Sequence, residues 1–120
     1  FDISLPLATM ADYLERTGAR LEQRLGELRW VTFGHLGDSN LHLAIALGGD
    51  DPALRHAVEE IVYAGLAGIG GSVSAEHGIG LEKREFLHCS RSATEIELMK
   101  TLKRALDPRN ILNPERIFRL

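Results

Sequence analysis

The sequence predicts an α+β fold: an antiparallel sheet in the order β-α-β-β-α-β, with additional helices after it. Three observations predict it. Short apolar runs and strict alternation mark strands at Asp2–Leu5, Trp30–Leu36 and Leu41–Leu47. Two intervening stretches repeat apolar residues at helical spacing. Turn chemistry at Gly37-Asp38-Ser39-Asn40 joins the second and third strands directly as a hairpin.

Each element has a local reason. Pro6 stops the first strand. Leu7, Met10, Ala11, Leu14, Leu21, Leu25 and Leu28 then define an amphipathic helix over Leu7–Leu28, which Gly18 weakens by about 1 kcal/mol relative to alanine. Gly48-Gly49-Asp50 ends the hairpin. Asp51 caps a second helix that starts at Pro52 and carries its stripe on Leu54, Ala57, Val58, Ile61 and Val62. Gly68–Gly71 break that helix, and Ser72–Ala75 is the fourth strand. The order is that of a ferredoxin-like split unit. Beyond it, Leu81–Leu87 reads as a short helix. Thr94–Leu106 reads as another, with Thr94 as N-cap, Glu97 completing a capping box and Asp107-Pro108 as the stop. The tail Ile111–Phe118 is apolar and too short for a core of its own.

Composition bounds the function. With 120 residues and 44% hydrophobic content, the chain can bury one core. A net charge of −3 and no basic stripe argue against a nucleic-acid partner. The single cysteine, Cys89, forbids an internal disulfide and makes a reducing, cytoplasmic location the expectation. No apolar run approaches the roughly 18 residues of a spanning helix, and no signal peptide is visible. The start at Phe1-Asp2-Ile3, already strand-like, suggests a piece of a longer protein.

Two glycine-bracketed segments carry the chemistry: Gly34-His35-Leu36-Gly37-Asp38-Ser39-Asn40-Leu41-His42 and Ser72-Val73-Ser74-Ala75-Glu76-His77-Gly78-Ile79-Gly80. With a four-residue loop Gly37–Asn40, His35 faces His42 across the hairpin, with Cβ atoms ~4.5–5.5 Å apart. Two imidazoles so placed can hold a divalent ion, and Glu76 would complete a His₂Glu set open to zinc, manganese or iron; paired hairpin histidines that bind nothing are the alternative. One difficulty is visible. A regular fourth strand runs away from the hairpin turn and leaves Glu76 more than ~10 Å from His35. Adjacent Glu76 and His77 would also face opposite sides, so this segment must be irregular for both to serve one site.

GHLGDSNLH, then GGSVSAEHGIGLEKREFL, then ALDPRNILNPERIF resemble, nearly end to end, the C-terminal region of FAD-linked oxidases. These belong to the vanillyl-alcohol-oxidase-type flavoproteins, with the glycolate oxidase flavin subunit, D-lactate dehydrogenases and D-2-hydroxyglutarate dehydrogenase among them. The resemblance implies that residues 1–77 are the ferredoxin-like half of a cap domain. Residues 78–120 would be helices and a tail returning to an N-terminal FAD-binding domain outside this chain. It implies His35, His42 and Glu76 as metal ligands, commonly for zinc, and His77 as the catalytic base. It places the Asn113-Pro114 tail near the isoalloxazine.

The implied reaction is oxidation of a small D-2-hydroxy acid with hydride transfer to flavin. Asn40, a turn residue or substrate contact, and Lys83, which could attract an anionic substrate, are further candidates. Ser39 stands where many members have glycine, Ala75 also replaces a frequent glycine, and Glu115-Arg116 replaces the commoner Gly-Lys. The SAEHG form tilts the substrate toward longer dicarboxylates. The isolated chain is expected neither to hold FAD tightly nor to turn over substrate, and its cut apolar surface could make it a homodimer. Other expectations open at this point are a freestanding ferredoxin-like module binding a metal or anion, and a metal-assisted hydrolase, disfavoured by the lack of HExxH.

Overall fold

A computed structural model describes the protein over residues 1–120. Its elements are β1 (Asp2–Ser4), α1 (Met10–Leu25), β2 (Arg29–Phe33), β3 (Asn40–Ala46), α2 (Pro52–Ala64) and α3 (Ala93–Leu106). Short 3-10 turns lie at Leu7–Thr9, Leu36–Asp38 and Arg84–Cys89. The sheet is antiparallel in the order β1-β3-β2. The α+β class and this strand order agree with the sequence reading.

The fourth strand differs from expectation. It is reduced to a single antiparallel bridge between Ser4 and Ser72, on the free side of β1. Its place is the one a ferredoxin-like sheet requires, but the ladder stops at once. The cause is local. Past Ser72, side chains satisfy the backbone: the Ser90 hydroxyl accepts from Val73 N–H, and Ser72 Oγ donates to the Ser74 carbonyl. With those groups satisfied, the chain is free to curl.

Pleating divides the sheet into two faces. Ile3, Leu41 and Leu43 point toward α1 and α2 and pack with Tyr13, Leu21, Val58, Val62 and Leu66 in the main core. The opposite face carries Asp2, Asn40, His42, Val31 and Phe33, because opposed residues share a side: Asp2 lies opposite His42, and His42 opposite Phe33. No helix covers that face, and Val31 and Phe33 remain exposed.

The helices start and stop by identifiable chemistry. Asp51 caps α2 as expected, accepting from Ala53 and Leu54 N–H with Pro52 at the first position. Helix α1 starts at Met10 and ends at Leu25, not Leu28, because Gly26 adopts φ 77° after it. The mid-helix Gly18 leaves room for the Trp30 indole, 3.0 Å from where a Cβ would stand. The cap of α3 is Ser92 with Glu95, not Thr94 with Glu97. Both pairs fit the S/T-x-x-E pattern, and serine caps better than threonine. The segment expected as a helix at Leu81–Leu87 is instead the 3-10 turn Arg84–Cys89. No residue of α3 is buried, and Leu98, Leu102 and Leu106 are exposed along it.

The hairpin register also departs from the expectation. Phe33, not His35, pairs with His42, so the loop runs over Gly34–Ser39 and contains the Leu36–Asp38 turn. Gly34 packs backbone to backbone: a Cβ there would lie 2.4 Å from the Asn40 carbonyl oxygen and 3.0 Å from Leu41 Cα. Ser39 is left-handed (φ 56°) and turns its carbonyl to accept from Leu5 N–H at 3.1 Å. This conformation costs a non-glycine residue about 1 kcal/mol. The two positions should therefore respond with opposite signs. Gly34→Ala is expected to destabilise the protein by roughly 3 kcal/mol, whereas Ser39→Gly should stabilise it by about 1 kcal/mol. Urea-unfolding midpoints that shift the same way in both variants would contradict this account of the loop.

Candidate active site

The open face of the sheet gathers the four predicted residues His35, His42, Glu76 and His77. His42 projects from β3 with its ring stacked on Phe33, centroids 5.0 Å apart and planes 14° from parallel. His35 sits in the hairpin loop, where its carbonyl accepts from Asp38 and Asn40 N–H. Its Nδ1 lies 3.2 Å from Glu76 Oε1, and His42 Nε2 lies 3.6 Å from the same oxygen. The potential ligand atoms of His35, His42 and Glu76 all fall within 4.8 Å of one another. The triad forms without the cross-strand His–His pairing that the sequence suggested. The His77 ring is 5.7 Å from that of His42, tilted by 44°, and largely exposed.

Asn40, two residues before His42 and on the same face, is 2% exposed. Its Nδ2 donates to Glu76 Oε1 and lies 3.5 Å from His35 Nδ1 and 3.4 Å from His42 Nε2. Its Oδ1 is buried with no partner. Asn40 therefore stands beside all three side chains of the triad, with its amide nitrogen directed at them.

The residue that sequence reasoning missed is Asp2. Its carboxylate is 1% exposed and accepts four hydrogen bonds from one short stretch. The donors to Oδ2 are Ser74 Oγ (3.0 Å), Ala75 N (3.2 Å), Glu76 N (3.0 Å) and His77 N (2.9 Å). Lys83 Nζ donates to the Asp2 carbonyl at 3.1 Å and stands 3.5 Å from Oδ2. Burial opposes ionisation of Asp2. The His77 and Glu76 N–H groups, the Ser74 hydroxyl and the Lys83 ammonium outweigh it and hold the carboxyl well below the usual carboxylate range. Successive N–H groups converging on one oxygen cannot belong to a regular strand, where they alternate in direction. This curl removes the sequence-level difficulty and brings Glu76 back to His35. The available signal was one acid inside an otherwise strand-like Asp2-Ile3-Ser4-Leu5, since acids are rarely buried without partners.

Lys83, expected to attract an anionic substrate, is buried with its ammonium committed to Asp2; burial lowers its pKa and Asp2 opposes that shift. It lines a cleft of about 410 Å³ beside His42 and His77. In the same cleft Arg55 is paired with Glu59 (3.2 Å) and Glu82 (3.7 Å). Asn113 lies in the exposed tail. That tail returns to the glycine loop, where Ile117 N–H donates to the Gly80 carbonyl and Arg84 donates to the Glu115 carbonyl. No helix of the chain is long and apolar enough to cross a membrane.

Comparison with known proteins places this geometry in context. Residues 1–117 match the family described as FAD linked oxidases, C-terminal domain. The chain is 42% identical over 118 residues to the mitochondrial D-2-hydroxyglutarate dehydrogenase of Bos taurus, covering 98% of this chain and 21% of that protein. It is 39% identical over 122 residues to the D-2-hydroxyglutarate dehydrogenase of Stutzerimonas stutzeri, covering 98% and 26%. The chain thus spans about a fifth to a quarter of the length of the curated relatives it matches.

The Asp2–Lys83 contact yields a direct expectation. Lys83→Met removes a charged donor from a buried carboxylate that keeps its other bonds, and should cost about 2 kcal/mol. A lower urea midpoint with unchanged slope would report it; an unshifted midpoint would show that the ammonium is dispensable to Asp2.

Proposed function

The chain belongs to the family of FAD linked oxidases as their C-terminal domain, and we propose that it supplies the substrate-handling site of an FAD-dependent D-2-hydroxy-acid dehydrogenase. The observation that carries this reading is the convergence of two imidazoles and a carboxylate within 4.8 Å, with a third imidazole alongside, on an uncovered sheet face. The relatives' names favour a substrate of the D-2-hydroxyglutarate type.

The donor set fits a divalent ion. Two imidazole nitrogens and one carboxylate oxygen converge, and three protein donors leave positions for substrate oxygens. His35, His42 and Glu76 would hold the ion, with zinc the expected one. When bound, it supplies positive charge to the substrate carboxylate and hydroxyl and lowers the hydroxyl pKa. FAD fits this chain differently. The turn between β3 and α2 carries Gly48-Gly49 but then Asp50-Asp51, and acids at a helix start repel a pyrophosphate. The chain spans about a fifth to a quarter of the length of its relatives, so the dinucleotide is assigned to the rest of the protein, and FAD supplies the hydride acceptor. Asn113 is this chain's contact with it.

The chain's own residues then have defined tasks. His77 takes the hydroxyl proton on its exposed ring as the C2 hydrogen leaves as hydride; the alcohol carbon becomes the keto carbon of a 2-oxo acid. Asn40 fixes the carboxylate of Glu76, and Phe33 supports the ring of His42.

The test uses the full-length protein. Stoichiometric divalent metal is expected in the wild type and a substantial loss of it in His35→Ala and Glu76→Ala, with turnover of D-2-hydroxyglutarate abolished by chelation. His77→Asn should keep the metal and lose ~10²–10⁴-fold in kcat. Equal metal content in wild type, His35→Ala and Glu76→Ala would remove the ligand assignment.

A further inference from the structure

Every partner of the buried Asp2 carboxylate lies in one segment, residues 74–83, and none in its own sheet. The β1–β3 pairing itself needs only main-chain atoms, and a valine would suit β1 as well. The carboxylate therefore does nothing for the sheet that an apolar side chain could not do. What it does is join the strand position opposite His42 to the main chain of Glu76 and His77.

We infer that Asp2 is a positioning residue, which curls residues 75–77 around its carboxylate and so turns Glu76 and His77 together onto the face that bears His42. Three consecutive N–H groups on one oxygen leave the curl little freedom. A displacement of 1 Å at a reacting group is enough to lower a rate ~10²-fold. Partners that orient a metal ligand typically set ~10–100-fold in metal affinity or activity. Asp2 touches neither substrate nor ion and acts only through the segment it holds. The inference rests on the functional reading above, because the segment matters only if Glu76 and His77 do.

The experiment uses full-length Asp2→Val and Asp2→Asn proteins, with Val58→Ala as a comparison. Val58 is fully buried in the core on α2 and bonds to nothing in the site, so its truncation lowers stability without touching the segment. Chelator-stripped proteins are titrated with zinc, and with cobalt to read the ligand field, and kcat and KM are measured separately. Both Asp2 variants are expected to bind either ion ~10–100-fold more weakly than wild type and to show a kcat reduced at least tenfold, while Val58→Ala keeps wild-type affinity and spectrum. The valine keeps a strand-forming residue in β1, and the asparagine keeps the shape should the valine variant not fold.

Asp2 variants with wild-type affinity and kcat would overturn the inference and leave the ligand assignment standing. If the wild type itself binds neither ion, the metal reading fails. Asp2 is then judged on turnover: a tenfold or larger loss of kcat with KM within twofold supports it, and a kcat matching that of Val58→Ala overturns it.

Discussion

A carboxylate taken out of water must recover its hydration from protein donors. Asp2 recovers it from the Ser74 hydroxyl, the N–H groups of residues 75–77 and the Lys83 ammonium. That requirement shapes this side of the molecule. A fourth strand that might have continued beside β1 stops after one bridge, because its next donors turn inward. The same curl faces two neighbouring side chains the same way, which a flat strand could not do.

The site therefore depends on two kinds of backbone. Regular pleating on β3 delivers Asn40 and His42 to one face and Leu41 and Leu43 to the core. Irregular backbone delivers the rest: His35 from a loop anchored by the close approach of Gly34 to Asn40, and Glu76 with His77 from the curl. The sheet carries the site, and no helix covers the face that bears it.

Much of this was legible in the sequence, for physical reasons. Strict alternation over Leu41–Leu47 and helical spacing over α1 and α2 leave little choice of element, and Asp51-Pro52 names its own cap. The residues that the structure gathers were legible as types, since three histidines and an acid fall in two short glycine-bracketed segments. The register was not. Hairpin loop length depends on how closely Gly34 can approach Asn40, and no pattern of residue types encodes that distance. The α3 cap was ambiguous because two overlapping motifs fit. Asp2 escaped notice because its partners lie some seventy residues away in sequence.

That separation in sequence has a consequence for the order of assembly. Asp2 is made before any of the donors that stabilise it, and Lys83, the last of them, follows 81 positions later. Until those residues exist, β1 can pair with β3 while the Asp2 carboxylate faces water on the side of the sheet that no helix covers. The three-stranded sheet and α2 therefore need nothing from residues 74–83, whereas the Asp2 carboxylate is buried only when that segment arrives. The step that buries this carboxylate is also the step that brings Glu76 and His77 beside His42.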